Sequence, residues 1–283
     1  MTSTTNYWDN IERVKNFMNT ADAVLVGIGA GMSTAAGFTY SGERFHKYFD
    51  DFHKKYGITD MYSGGFYSFE SMEEYWAWWS RHIYYNRYDT PAGVPYVQLM
   101  NLLQDKNYFV ITTNVDHQMQ LAGVDKNRLY YMQGDYGLWQ CSKPCHQKTY
   151  DNEEQVRRMV NEQKDMKIPT ALIPHCPRCG ELMTMNLRID GTFVQDEGWY
   201  AAQNRYADFI ERYKDKKLIM LEIGVGYNTP MIIKYPFMRM THDNIDALYV
   251  PINIEDQPIP FEIHKNTVSF NNDIQKVMND LLS

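Results

Sequence analysis

Four cysteines carry the clearest chemistry in the sequence. Cys141 and Cys145 are four positions apart, Cys176 and Cys179 are three apart, and thirty residues lie between the two pairs. Each short spacing puts two thiolates on one knuckle, and two knuckles complete a tetrahedral four-sulfur shell that suits Zn²⁺. Every cysteine of the chain falls in this pattern. With four protein ligands no coordination position is left for water, so the site reads as structural rather than catalytic. His146 and His175 each adjoin a knuckle and are minor alternative ligands, since four thiolates already suffice.

A second group of residues lies in the turn Gly27-Ile28-Gly29-Ala30-Gly31-Met32-Ser33. Glycines there would let backbone N–H groups approach a pyrophosphate. The fingerprint is imperfect, because Met32 stands where a third glycine belongs, and a plain tight turn is the competing reading. Polar residues close other apolar runs: Thr112-Thr113-Asn114-Val115-Asp116, Gln133-Gly134, Gly224-Val225-Gly226 and Asn253-Ile254-Glu255. Each could serve as a cap or turn by itself. Together with the glycine turn they favour a bound dinucleotide.

The elements that would position these groups follow from periodicity. Apolar runs at 23–27, 108–113, 128–132, 217–224 and 247–253 predict buried parallel strands, with 266–270 as an edge strand. Helical spacing lies between several of them, in IERVKNFM, PYVQLMNLLQDK, WYAAQNRYADFIERY and the final NNDIQKVMNDLL. Strands alternating with helices predict an α/β fold with a doubly wound, Rossmann-like parallel sheet, with ligands at the carboxyl ends of the strands. The expected domains are a Rossmann-like part, 1–137 and 188–283, and a small inserted zinc module, 138–187. Within the module DNEEQVRRMVNEQKD reads as a solvated helix. From about residue 44 to 90 the strand pattern gives way to an aromatic-rich helical insertion. Ser71 and Glu74 are spaced as a capping box there, and His82 reads as part of the packing.

Composition narrows the field. The 283 residues carry 28 Lys+Arg against 35 Asp+Glu, a formal charge of −7, which argues against nucleic acid as a partner. With 44% hydrophobic and 22% charged residues, the chain belongs among globular rather than disordered sequences. No apolar window reaches the roughly 18 residues of a membrane span, and the first residues lack a secretory pattern. The expectation is a cytoplasmic protein without membrane contact.

In motif order the chain resembles a sirtuin. Gly29-Ala30-Gly31-x-Ser33 matches that family's GAG-x-S, and Thr113-Asn114-Val115-Asp116 matches its Q-N-I-D stretch. The two cysteine pairs, the turn at Gly224 and Asn253 follow in order. Two departures stand out: deacetylating sirtuins carry His-Gly where this chain has Gln133-Gly134, and Gly-Ile-Pro-Asp-Phe-Arg where it has Gly37-Phe38-Thr39-Tyr40-Ser41-Gly42, with Arg44 beyond. That pattern is similar to the macrodomain-linked sirtuins of microbes.

The resemblance implies NAD as co-substrate and ADP-ribosyl transfer to a protein, specifically a lipoylated carrier like the glycine-cleavage H protein. It also implies an operon-encoded macrodomain protein acting on the same mark. It assigns cofactor contacts to Gly29, Ala30, Gly31, Ser33, Tyr40, Arg44, Gly224, Gly226 and Asn253. Asn114 would orient the ribose or a water, Asp116 would hold the nicotinamide carboxamide, and Gln133 would hold the ribose. Arg188 would recognise an acidic acceptor or the phosphates, or else be a solvated arginine on the module edge. His117, beside Asp116, could be offered as a substitute base, but it lies on the wrong motif and reads as a packed or surface histidine. Tyr40, Phe45, Tyr48 and Phe49 would close over the cofactor and admit a lipoyl arm. The alternatives are an NAD-dependent lysine deacylase and a catalytically inactive NAD or ADP-ribose sensor.

Overall fold

The computed structural model describes residues 4–283. The first six strands are β1 (Ala23–Ile28), β2 (Tyr108–Thr112), β3 (Leu129–Tyr131), β4 (Gly134–Cys141), β5 (Tyr150–Asp151) and β6 (Met183–Leu187). Then come β7 (Leu218–Ile223), β8 (Leu248–Asn253) and β9 (Phe270–Asn271). Six of them form one parallel sheet in the order β3-β2-β1-β7-β8-β9. Every residue of β1, β2 and β7 is buried, as continuous apolar runs covered on both faces must be.

Alternation along β1 divides the two faces. Val24, Val26 and Ile28 pack under the helices Thr4–Thr20, Val94–Leu102 and Ile274–Leu282, against Val14, Leu99 and Met278. Ala23 and Leu25 face the helices Glu197–Tyr213 and Lys234–Asp243, against Trp199 and Phe237. The sheet is the doubly wound α/β sheet expected from the run pattern. Its far edge is shorter than 266–270 suggested: Asn266 ends a 3₁₀ turn, Thr267 makes a single bridge to Tyr249, and only Phe270–Asn271 pair with β8. The Asn266 side chain donates to the carbonyls of Ile245 and Ala247, which holds that residue out of the ladder. No helix among the described residues is long and apolar enough to cross a membrane.

The remaining strands make a small antiparallel sheet, β5-β4-β6, that carries the cysteines. It shares one hydrophobic core with the aromatic insertion. Phe45, Phe49 and Phe52 line one face of the helix Glu43–Tyr56, and Trp76 and Trp78 come from the helix Met72–Ile83. Trp139 of β4 meets Trp76 edge-on with ring centroids 5.0 Å apart. Two expectations change as a result. The helix Glu153–Glu162 is not solvated all round, because Val156 and Met159, three apart, are fully buried in this core. Phe45 and Phe49 are core rings with no exposed surface and do not line an open cleft, whereas Tyr40 and Tyr48 are half-buried. Ser71 does cap Met72–Ile83 by accepting from the Glu74 N–H. Glu74 does not reach back; its buried carboxylate takes Lys55 and the Tyr56 hydroxyl.

Candidate functional site

The chain runs β1 to β3 outward on one side of the sheet, then returns to the middle as β7 beside β1. The resulting switch point lies between the carboxyl ends of β1 and β7, where an open α/β sheet binds its ligands. Three glycines interlock there. The Gly31 N–H donates to the Gly224 carbonyl at 2.9 Å, and Gly29 N–H donates to Ile223. A Cβ on Gly29 would stand 2.6 Å from the Gly224 oxygen, and one on Gly31 2.7 Å from the Gly224 Cα. Gly224 itself has φ +63°. Backbone touches backbone at this corner, so side chains cannot enter. Ala30, the first residue of the helix Ala30–Ala35, and Gly226 are exposed at its rim. Asn253, at the end of β8, donates to the Val225 carbonyl at 3.2 Å and accepts from Ile254 N–H.

Ser33 follows on the same helix and joins the end of β2. Its Oγ donates to Asp116 Oδ2 at 2.5 Å. Asn114 Nδ2 lies 2.9 Å from the Gly29 carbonyl and 3.0 Å from both Ser33 Oγ and the Tyr96 hydroxyl. Tyr96 OH is 2.8 Å from Ser33 Oγ, closing the cluster. Asn114 is thus fixed through its amide nitrogen, while among the described residues its Oδ1 has no partner. Asp116 is buried and also accepts from Gln118 N–H at 3.2 Å. Burial pushes its carboxyl above the ordinary aspartate value, although the Ser33 hydrogen bond works the other way. Tyr96 comes from the separate helix Val94–Leu102, and no local signal in the sequence marks it as part of this cluster.

Gln133 and Arg188 are brought side by side. The Arg188 N–H donates to the Gln133 carbonyl at 3.0 Å, and Gly134 pairs with Leu187. Gly134 has φ +97°, and a Cβ there would lie 1.8 Å from the Asn186 oxygen, so only glycine holds this turn. The Gln133 amide makes no hydrogen bond to another described residue, and the Arg188 side chain is exposed. Tyr40 and Arg44 belong to the insertion side of the site. The Tyr40 hydroxyl is 2.7 Å from that of Tyr136, which is 2.9 Å from His82 Nε2. Arg44 donates to Asn86 Oδ1 at 2.8 Å and to the carbonyls of Thr39 and Tyr85. These contacts pin the 37–42 loop to the insertion.

The four cysteine sulfurs lie within 4.8 Å of one another, with Cys141–Cys179 at 3.6 Å and Cys145–Cys176 at 3.7 Å. Zn–S bonds of about 2.3 Å in a tetrahedron set sulfurs about 3.8 Å apart, and a disulfide would need about 2.05 Å. The donor set therefore fits zinc, and the cysteines are free thiols. His146 Nδ1 touches Cys145 Sγ at 2.9 Å while its Nε2 reaches the Tyr150 hydroxyl, and His175 is held by the Gly180 carbonyl. Both histidines stand beside the sulfurs rather than among them.

Together these features define a Rossmann-like α/β protein with a glycine corner at its switch point and a four-cysteine module. The sequence profile of the Sir2 family matches residues 29–210. A Staphylococcus aureus (strain Mu50 / ATCC 700699) protein named "Protein ADP-ribosyltransferase" is 41% identical over 272 residues, covering 96% of this chain and 86% of that protein. A Fusarium oxysporum f. sp. cubense protein named "Probable bifunctional ADP-ribose hydrolase/ADP-ribosyltransferase" is 31% identical over 244 residues, 80% of this chain but 39% of that one. Among solved structures, Sir2Tm bound to a propionylated peptide superposes with TM-score 0.60 at 18% identity, over 95% of both chains. A Sir2–p53 peptide–NAD⁺ complex superposes with TM-score 0.57, also at 18% identity and over 95% of both chains. The chain belongs to the Sir2 family, as its motif order implied.

Proposed function

We propose that the protein cleaves NAD at the nicotinamide bond and transfers the ADP-ribosyl group to a protein acceptor. The observation that carries this reading is Gln133, whose unengaged amide occupies the turn where a deacetylating sirtuin places histidine. Removal of an acyl group needs a base there to take a ribose hydroxyl proton. An amide has no basic site of useful pKa, although it can hydrogen-bond the sugar. Simple transfer asks only that the nicotinamide bond loosen and a nucleophile stand opposite.

The other groups fit that task. The glycine corner admits a pyrophosphate against backbone, and Asn114, fixed by its Nδ2, presents Oδ1 towards the ribose or an attacking nucleophile. Asp116, held by Ser33 and desolvated, suits the nicotinamide carboxamide. Arg188, beside Gln133, suits an acidic acceptor surface. Arg44 would contact phosphate only by leaving Asn86 and the two carbonyls that now hold it. The two relatives named for ADP-ribosyl transfer support the reaction class, and the hydrolase half of the second supports a partner enzyme that removes the mark. The lipoylated H-type carrier as acceptor, the macrodomain partner and a cytoplasmic setting rest on the subfamily resemblance. The cysteine shell holds a structural zinc away from the chemistry.

The test is nicotinamide release from NAD in the presence of a lipoylated H-type carrier. The wild type is expected to release it, and Asn114→Ala to lose activity by about 100-fold or more, the scale of one misplaced polar group at the reacting centre. Absence of any release by the wild type, with NAD bound, would mean a sensor rather than an enzyme.

A further inference from the structure

Glu222 and Lys234 form an ion pair inside the large sheet's packing. Glu222 is the penultimate residue of β7 and 1% exposed; Lys234 opens the helix Lys234–Asp243 and has no exposed surface. One carboxylate oxygen takes the Lys234 ammonium, and the other accepts from the Tyr249 hydroxyl of β8 at 2.6 Å. The ring of Tyr227 covers the ammonium, its centroid 5.0 Å from Nζ, and is 45% exposed. Burial outweighs the Lys234 charge and leaves the Glu222 carboxyl above the ordinary glutamate value. A buried pair of this kind adds little stability over well-packed apolar side chains, and its best-attested use is to fix register.

The two charges bracket the loop that carries half of the glycine corner. Ile223, next to Glu222, accepts the Gly29 N–H, and Gly224 locks against Gly31. From Gly226 to Thr229 the loop is exposed, and its N–H groups bond to no described residue. Hydrogen bonding resumes where Ile232 N–H donates to the Thr229 carbonyl at 3.2 Å and Tyr235 N–H to that of Pro230 at 2.9 Å. At the far end Ile233 and Phe237 press on β1, where a Cβ on Gly27 would overlap Ile233 Cγ2. A loop with so few bonds of its own takes its shape from its ends. Apolar contact alone is non-directional. A carboxylate that holds the helix by one oxygen and β8 by the other sets one distance between them.

We propose that Glu222 and Lys234 are positioning residues for NAD: their pair, covered by Tyr227, fixes the loop between them in the form that leaves the glycine corner open to the pyrophosphate. This rests on the placing of NAD at that corner under the proposed function. Neither side chain touches the reacting atoms; both act through the backbone from Ile223 to Ile233. The pair therefore governs how tightly NAD is held, while the step at Asn114 proceeds at its own rate once NAD is bound.

The experiment uses the full chain, with NAD and ADP-ribose as ligands and the lipoylated H-type carrier as acceptor. Lys234→Met alone would strand a buried carboxylate and confuse affinity with folding. The informative variant combines Glu222→Leu, Lys234→Met and Tyr249→Phe, which leaves neither a lone charge nor a lone hydroxyl. Its thermal unfolding midpoint should equal or exceed that of the wild type. Calorimetric titration should nevertheless show NAD and ADP-ribose bound about 10-fold more weakly, with KM for NAD raised in step and kcat within about threefold. Wild-type affinity in this variant would overturn the proposal. So would a loss of affinity that comes with a lower unfolding midpoint and an equal fall in kcat, the mark of a merely structural role. Gly31→Val closes the corner, and its binding NAD like the wild type would remove the placing on which the proposal rests. Affinity that weakens as expected in a protein that leaves the carrier unmodified would support the pair and remove the transfer reading instead.

Discussion

The cluster of Ser33, Tyr96, Asn114 and Asp116 places a carboxyl in a desolvated corner, where burial opposes its charge. Because the folded-state value of Asp116 is raised, the folded protein holds that proton more tightly than the unfolded chain does. Its contribution to stability is therefore full below the ordinary aspartate range and is lost as pH rises through the raised value. Asp116→Asn removes the charge and keeps an acceptor for Ser33. At neutral pH it should be more stable than the wild type by about 0.5–2 kcal/mol, with transfer strongly reduced. The stability gap should narrow as pH falls into the acid range. Thermal unfolding of both proteins across pH measures it, and a variant that is less stable at neutral pH would contradict the burial argument. Ser33, Asn114 and Asp116 were legible because each lies in a local motif at a strand end. Tyr96 was not, since it reaches the cluster from another element and only the fold makes them neighbours.

At the scale of elements, continuous apolar runs revealed the buried strands, and helical spacing revealed most of the helices that cover them. The small sheet was hidden. β4 mixes glycine, aspartate and glutamine with its aromatics, and β5 is only two residues long. The helix Glu153–Glu162 looked solvated because only two of its residues enter the core. The sharing of that core between insertion and cysteine sheet has a measurable consequence. Zinc supplies stability that a small module cannot obtain from burial. Its removal by a chelator, or the change Cys176→Ser, should loosen the helix Met72–Ile83 together with β4 and β6. Hydrogen exchange is the measurement: amides in 72–83 and 134–187 should lose protection together, while β1, β2 and β7 keep theirs. Loss confined to 141–187 would show that the module unfolds alone and that the Trp76–Trp139 contact transmits nothing.

In the whole molecule, the strand order explains why chemistry gathers where it does. The chain leaves the edge of the large sheet after β3, builds the small sheet, and returns to the middle as β7. It departs at Gln133-Gly134 and comes back at Leu187-Arg188, and these two points are locked together by the Arg188–Gln133 backbone hydrogen bond. The glycine corner, the Asn114 cluster and the departing turn thus lie along one line of strand ends, and the insertion leans on the strand β4 that follows it, Arg87 donating to Asp135 and Tyr40 meeting Tyr136. Such a line suits a dinucleotide on one side and a protein acceptor on the other. The central claim is that ADP-ribose moves onto a protein and no acyl group is removed. It is tested most directly by the intact mass of two proteins incubated in parallel with the enzyme and NAD, one a lipoylated H-type carrier and the other bearing acetyl-lysine. We predict that the carrier gains the mass of one ADP-ribose and that the acetylated protein is unchanged. Loss of acetyl from the second, with the first unmodified, would contradict the account.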